Sequence, residues 1–193
     1  MSQLTPEDLY SLEQYAKMRS EFRASVMAHK KNRKVHVGPN ATLYFEDRLT
    51  MQYQVQEMLR IERIFEQDAI AEELAAYNPL IPDGSNWKAT FMVEYPDVEE
   101  RRAALSRLIG VEDKVWVQVE GYDRVFAIAD EDLEREDETK TSSVHFLRFE
   151  LTPEMANAVK GGAGLSMGID HPNYQHAVGV GEPTRGCLVQ DLA

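Results

Sequence analysis

One stretch of the sequence combines amide, carboxylate and guanidinium side chains at helical spacing. Gln52, Gln56 and Arg60 recur every four residues, with Glu57 beside them, within residues 45–63. Residues four apart share one face of a helix, so these groups form a dense polar face. Amides donate and accept hydrogen bonds, and guanidinium groups bind carboxylates and phosphates, so the pattern favours recognition of a small anion, a peptide or another chain. The alternative is a solvated face held by internal ion pairs.

A second segment with chemical potential covers residues 170–176, where two histidines, an aspartate and a tyrosine lie within seven residues. His171 and His176 are candidate metal ligands, or a base and its orienting partner. A metal site needs a further ligand, and His36, Glu57 and His145 are candidates by their chemistry. Such a donor set suits iron, zinc or manganese. Tyr174 adds a ligand-binding hydroxyl, and the alternative is a turn whose polar side chains satisfy backbone groups.

Arginine side chains offer a third interpretation. Residues 143–151 alternate as a strand, which places Arg148 on the face opposite to His145. A half-buried guanidinium requires an acidic partner or a bound anion. Together with Arg48 and Arg60, this residue predicts a small-molecule sensor that clamps a carboxylate or a phosphate.

The basic patch, residues 29–36, contains Lys30, Lys31, Arg33 and Lys34 between two histidines. A cluster of this kind suits a phosphate-bearing ligand or the acidic surface of a partner. The competing interpretation is a helix C-terminus followed by an exposed turn, because cations there complement the helix dipole.

Complete catalytic signatures are absent from the sequence. Residues 164–168 match the spacing of a hydrolase nucleophile elbow, but their flanks lack the required strand and helix. The glycine patterns of dinucleotide and phosphate-binding loops, the di-iron Glu/His pair and the paired histidines of zinc proteases do not occur. The sequence therefore leaves open whether the protein is an enzyme.

Composition limits the partners and the compartment. The net charge is −12, although residues 1–63 hold 10 Lys/Arg against 8 Asp/Glu. Overall acidity disfavours binding to nucleic acid, which relies on positive potential. No apolar run reaches the ~18 residues that a membrane span needs, and the single cysteine, Cys187, excludes an intrachain disulfide. These features favour the cytoplasm and leave open whether the chain forms a homo-oligomer.

Alternating helix and strand signals predict one α+β domain over residues 1–193, with N-terminal helices packed on a mainly antiparallel sheet. A helix is expected from Pro6 to about residue 28, and the loop at 78–87 is internal to the domain. The remaining expected helices cover 45–63, 67–77, 96–109, the segment after Thr152 and the segment after Pro183. The expected strands cover 35–37, 42–45, 89–95, 115–119, 125–129, 143–151, 165–169 and 176–180.

Several of these segments, in this order, resemble an uncharacterised bacterial family of about this length. They are residues 4–9, 43–48, 54–60, 140–151 and 170–174. Genes of that family often lie beside one for rubrerythrin and one for an iron–sulfur protein like a heterodisulfide reductase subunit. The resemblance implies rubrerythrin and an iron–sulfur oxidoreductase as partners, and a role near peroxide defence or thiol and electron-transfer metabolism.

The leading hypothesis is a cytoplasmic accessory or binding protein of a redox system. It would present the polar face of Gln52, Gln56 and Arg60, with the basic patch, to a partner or small anion. The first alternative is an enzyme with a metal held by His171 or His176, in which Glu57 is a further ligand or a base. The second alternative is the anion sensor.

Overall fold

The helices are distributed along the whole chain and alternate with strands. The computed structural model describes residues 3–133, 135 and 139–193. The helices in these residues are α1 (Leu12–Lys31), α2 (Arg48–Glu62), α3 (Gln67–Tyr77), α4 (Val98–Arg107), α5 (Pro153–Lys160) and α6 (Thr184–Val189). Short 3-10 helices cover Pro6–Asp8, Asn78–Leu80 and Glu112–Lys114. No described helix is long and apolar enough to span a bilayer.

The N-terminal segment is divided where one continuous helix was expected. The Asp8 carboxylate accepts hydrogen bonds from the backbone N–H and the hydroxyl of Thr5, which closes a single 3-10 turn. Ser11 then caps α1 by accepting from the backbone N–H of Gln14. The expected start at Pro6 is therefore the start of the short turn, and the long helix begins at Leu12 because of this second cap.

The strands form two antiparallel sheets. They are β1 (Lys34–His36), β2 (Ala41–Phe45), β3 (Asn86–Val93), β4 (Val115–Val119), β5 (Val125–Phe126), β6 (Ile128–Ala129), β7 (Val144–Glu150), β8 (Leu165–His171) and β9 (Tyr174–Gly179). The five-stranded sheet has the order β1-β2-β3-β7-β6, and the four-stranded sheet has the order β5-β4-β8-β9. The α+β prediction is confirmed, with two sheets in place of one.

The edge strands show why residues 125–129 are not the single strand expected. β5 pairs with β4, whereas β6 pairs with β7 of the other sheet. The segment passes from one sheet to the other at Ala127, so each part is only two residues long. Alternation along the sequence cannot reveal this change of partner, because both parts keep an extended backbone.

The two sheets face each other across the main core. Alternate residues of β3, including Trp87, Ala89 and Phe91, pack in one apolar cluster with residues of β4 and β8. A second, smaller cluster lies among the helices and contains Met51, Val55 and other side chains of α2 and α3. The molecule therefore has three layers, in which α1, α2 and α3 cover the outer face of the five-stranded sheet.

Candidate functional site

A groove lies between the helical layer and the outer face of the five-stranded sheet. We call it the inter-layer groove, and its volume is about 560 Å³. Its lining residues are Met27, Lys30, Lys31, Lys34, Tyr44, Glu46, Met51, Gln54, Tyr77, Leu80, Thr90, Met92, Val144 and Phe146. This volume lies within the range of pockets that hold small organic ligands.

The floor of the inter-layer groove is built by cross-strand neighbours. Tyr44 pairs with Thr90, and Thr90 pairs with Phe146 on the next strand. The neighbouring row places Met92 beside Val144. These side chains point away from the main core because their alternate neighbours point into it, so antiparallel register alone generates an apolar floor.

Glu46 is the most unusual side chain of the groove. The residue is 5% exposed, and its Oε1 atom accepts a hydrogen bond of 2.7 Å from the Thr90 hydroxyl. Its Oε2 atom is buried and has no hydrogen-bond partner among the described residues. A buried carboxylate oxygen without a partner carries a desolvation cost, and such an atom calls for an explanation, such as a bound water or ion or a functional role.

Lysines border the same groove. Lys30 and Lys31 belong to the last turn of α1, and Lys34 opens β1. In the part of the chain that the structure describes, none of the three forms an ion pair within 4 Å, so their ammonium groups are available to an external anion.

The other cations of the basic patch serve the fold. Arg33 is 2% exposed and pairs with Asp191 at 2.5 Å, and His29 lies 2.5 Å from Asp47. Burial raises the pKa of the Asp191 carboxyl to about 6, against the opposing effect of the Arg33 charge. The basic patch therefore has a buried part, in which Arg33 binds Asp191 near the C-terminus, and an exposed part that borders the groove with Lys30, Lys31 and Lys34.

A second cleft of about 500 Å³ continues from the groove past Tyr77 and Phe146. Arg148 lies in it and pairs with Glu131 at 2.7 Å and with Glu150. Lys88 also lines this cleft, and burial lowers the pKa of its ammonium group. The acidic partner that a half-buried Arg148 requires is thus supplied by the protein itself.

The predicted polar face of α2 binds the N-terminal segment of the same chain. Gln56 is fully buried; its Oε1 accepts from the Tyr10 backbone N–H at 2.7 Å and its Nε2 donates to the Tyr10 carbonyl at 3.2 Å. Gln52 donates to the Asp8 carbonyl at 2.6 Å, and Arg48 pairs with the Asp8 carboxylate. These groups replace the backbone partners that an irregular segment lacks.

Glu57 is the centre of an ion-pair cluster between α1 and α2. Its carboxylate accepts two hydrogen bonds from Arg19, at 2.7 and 2.8 Å, and one of 2.6 Å from the Tyr15 hydroxyl. Arg60 approaches it at 3.4 Å. The Arg19 hydrogen bonds, with the Tyr15 hydroxyl, lower the Glu57 pKa to about 2.

The histidines of residues 170–176 lie on a tight hairpin instead of a loop. His171 ends β8; its Nε2 lies 3.1 Å from the Ile109 carbonyl and its Nδ1 accepts from the Asn173 backbone N–H. Tyr174 donates to the Val37 carbonyl and accepts from the Asn40 backbone N–H. His176 is exposed and contacts the Tyr174 ring.

These positions do not bring the predicted metal ligands together. Among residues 3–133, 135 and 139–193, the one group of three His, Cys or acidic side chains with ligand atoms within 4.8 Å is Glu112, Asp130 and His145. Glu57, His171 and His176 do not form such a group. Both ring nitrogens of His171 already contact backbone atoms, and Glu57 is held by arginine.

We call Glu112, Asp130 and His145, with the neighbouring Thr141, the His145 cluster, because the fully buried histidine lies at its centre. His145 Nδ1 lies 2.5 Å from Asp130 Oδ2, while Nε2 lies 2.9 Å from the Thr141 hydroxyl. Nε2 is also 3.1 Å from the Ser142 carbonyl and 3.7 Å from Glu112 Oε2. The predicted strand face of His145 is confirmed, and its carboxylate neighbours come from distant elements that strand alternation cannot identify.

Sequence reasoning found the lysines of the groove but not Glu46. The available signal was a glutamate inside the segment Phe45-Glu46-Asp47, between an apolar strand and a helix cap. That pattern is common in exposed linkers, and only the packing of the helices over the sheet buries the carboxylate.

Comparisons with known proteins give a family and a fold. A family model described as "Protein of unknown function (DUF3501)" matches residues 3–192. A crystal structure at 1.90 Å of a novel protein of unknown function from Burkholderia pseudomallei is similar, with 51% sequence identity, 100% of each chain covered and a TM-score of 0.94. A comparison with curated proteins gave no match.

Proposed function

Since the chain belongs to the DUF3501 family of proteins of unknown function, we propose its function from its own geometry: it is a binding protein that holds a small amphipathic anion in the inter-layer groove. One observation carries the proposal. An apolar groove of about 560 Å³ is bordered by three lysines that have no acidic partner among the described residues, whereas most described arginines are paired.

The groove has separate places for the two ends of such a ligand. Met27, Met51 and Met92 line it with flexible thioethers, which adapt to apolar bodies of varied shape. Lys30 and Lys34 at the border supply charge-assisted hydrogen bonds to a carboxylate or a phosphate. The arrangement therefore favours an apolar body with an anionic end.

Glu46 adds a requirement on the ligand. Its Oε2 atom, which has no partner among the described residues, can accept a hydrogen bond from a hydroxyl or an amide N–H of the ligand. A hydroxy acid with a short apolar chain meets all three conditions, since it provides the anion, the apolar body and a hydrogen-bond donor. This proposal keeps the anion-binding role suggested by the sequence and assigns it to a different surface.

A panel of simple probes tests the chemistry. Isothermal titration with 3-hydroxyoctanoate, octanoate, inorganic phosphate and octylammonium should give the tightest binding for the hydroxy acid and none for the ammonium ion. A ligand that binds only the folded state also raises the melting temperature with concentration. Equal responses to all four probes would contradict a site with this polarity.

Methionine methyl NMR locates the ligand. With 13C-labelled methyl groups, 3-hydroxyoctanoate should shift the signals of Met27, Met51 and Met92, because they line the groove. Met167 lies in the core between the two sheets and serves as the internal control. Shifts confined to other methionines would place the ligand elsewhere and overturn the assignment.

Matched lysine variants test the anionic end. The double variant Lys30→Ala/Lys34→Ala should weaken binding of 3-hydroxyoctanoate by roughly tenfold or more, since hydrogen bonds to charged groups contribute about 1.5–3 kcal/mol each. Lys17→Ala is the control, because Lys17 lies on α1 and pairs with Glu13 on an exposed face. Equal affinity in the double variant and the control would refute the role of the border lysines.

The partners implied by the resemblance, rubrerythrin and an iron–sulfur oxidoreductase, also belong to this proposal, as does action in the cytoplasm. A binding protein for a small anion would serve a redox system by delivering or sensing a metabolite. A pull-down with each purified partner, with and without 3-hydroxyoctanoate, tests the association.

A further inference from the structure

The His145 cluster offers a second binding site, separate from the inter-layer groove. Its side chains are almost completely enclosed: His145 is 0% exposed, Thr141 is 1% exposed and Glu112 is 6% exposed. The residues come from the 3-10 helix at 112–114, the segment before β7, and β7 itself. A group that joined them would therefore tie together three separate parts of the chain.

We propose that this cluster binds one divalent first-row metal ion, with ligands from Glu112, Thr141 and His145 and from the Ser142 carbonyl. The ion would have a structural role, since His145, Thr141 and Glu112 are almost completely buried. Structural metal sites are typically closed in this way, whereas catalytic sites keep an open position.

The spacing of the ligand atoms supports a single ion. Metal–ligand bonds of about 2.1 Å place two ligands at most about 4.2 Å apart, with edges of about 3.0 Å in an octahedron and about 3.4 Å in a tetrahedron. His145 Nε2 lies 2.9 Å from Thr141 Oγ1, 3.1 Å from the Ser142 carbonyl and 3.7 Å from Glu112 Oε2. Thr141 Oγ1 lies 3.4 Å from Glu112 Oε2. Every measured pair fits the polyhedron of one ion.

Asp130 supplies the outer shell that such a site requires. Its Oδ2 atom lies 2.5 Å from His145 Nδ1, and this contact holds the ring with Nε2 on the side of Glu112 and Thr141. Its Oδ1 atom is held by the Phe146 backbone N–H and by Arg135. Metal-binding histidines commonly donate their second N–H to a carboxylate, and this contact fixes the ring orientation.

The donor chemistry selects the class of ion. One imidazole nitrogen with carboxylate, hydroxyl and carbonyl oxygens suits zinc, manganese or ferrous iron better than magnesium or calcium, which prefer oxygen alone. An imidazole nitrogen binds a metal only in its deprotonated form, so metal uptake releases a proton wherever the metal-free ring carries one at Nε2.

Metal binding by the wild-type chain is the first test. After chelator treatment and dialysis, titration with Zn²⁺ and with Mn²⁺ should give about one equivalent, release of a proton measured in buffers of different ionisation enthalpy, and a higher melting temperature. Mg²⁺ is the negative control. Uptake of less than roughly a tenth of an equivalent of Zn²⁺ and Mn²⁺ would overturn the proposal without any variant.

Substitutions of the cluster residues test whether the ion binds at this location. Glu112→Gln should raise the Zn²⁺ Kd by more than tenfold, because a ligand is weakened. Asp130→Asn should raise the Kd by roughly 10–100-fold, because this substitution disturbs only the orientation of the His145 ring. His176→Ala is the control, since His176 is exposed and lies outside the cluster. Unchanged affinity in Glu112→Gln, or loss of binding in His176→Ala, would refute this location.

Two conservative substitutions of Thr141 test the site without the risk that a larger change prevents folding. Thr141→Ser keeps the hydroxyl and should retain Zn²⁺ binding, whereas Thr141→Val keeps the shape and should weaken binding about tenfold, because the hydroxyl ligand is lost. Co²⁺ absorption of the wild-type chain adds a mutation-free readout, because a nitrogen and oxygen site lacks thiolate charge-transfer bands. Such bands would instead identify Cys187 as the ligand and overturn the assignment.

Discussion

The substitution Gln56→Ala tests whether the polar face of α2 serves the fold. Gln56 makes two hydrogen bonds to the backbone of Tyr10 and is fully buried. Each hydrogen bond contributes about 1 kcal/mol net, and the removed methylene adds about 0.8 kcal/mol. We expect the free energy of unfolding to fall by about 3 kcal/mol. The loss is limited because Tyr10 is partly exposed, so its freed backbone groups can reach water when the segment detaches.

Urea denaturation and amide hydrogen exchange together measure this effect. Unfolding should begin at lower urea, and the Tyr10 amide should exchange much faster in the variant, because its acceptor is Gln56 Oε1. Gln54→Ala is the matched control, since Gln54 lies on the same helix and lines the groove. A loss below about 1 kcal/mol with unchanged exchange at Tyr10 would refute the reasoning, since it is less than one net hydrogen bond.

Three further changes probe ion pairs and packing. The Glu57 pKa is about 2 against an ordinary 4.5, so the ionised carboxylate stabilises the fold above pH 4.5, and this stabilisation is lost as the pH falls through 2. In Glu57→Gln, the free energy of unfolding measured with urea should therefore fall less steeply at acid pH. The Asp191 pKa is about 6 against an ordinary 3.8, so its contribution is full below pH 3.8 and falls by at most about 3 kcal/mol as the pH rises through 6. Asp191→Asn should remove that slope, and an unchanged slope would contradict the assignment. Gly168→Ala should destabilise the fold by about 3 kcal/mol or more, since its methyl would lie 2.2 Å from the Trp116 ring, whereas Gly179→Ala meets nothing within 4 Å and should be near neutral by thermal melting.

Local signals predicted the elements of the fold well. The helix Gln67–Tyr77 has the predicted bounds, and Thr152-Pro153 starts α5 as expected from its cap and proline. These features depend on neighbours within one turn, so the sequence contains all the needed information. The change of sheet at Ala127 was missed because it depends on strands far away along the chain.

The candidate sites were predicted less well, because each depends on side chains from several elements. The inter-layer groove draws on α1, α2, β2, β3 and β7, and its Glu46 carboxylate is buried only by this assembly. His145 was correctly placed on the strand face opposite to Arg148, but its neighbours Glu112 and Asp130 lie 33 and 15 positions earlier in the chain. Spacing rules within one helix or strand cannot pair such residues.

A dense row of amide and guanidinium groups on a helix has two physical explanations. It can recognise an external partner, or it can satisfy the backbone of an irregular segment of the same chain, and both require the same donors and acceptors. In this protein Asn78 binds the Leu4 backbone through an amide pair, as Gln56 does at Tyr10, so one N-terminal segment accounts for both amides. The lysines of the groove differ because no described carboxylate pairs with them. Our proposal for a ligand site therefore rests on unpaired cations beside an apolar surface, and not on the density of polar groups on one helix.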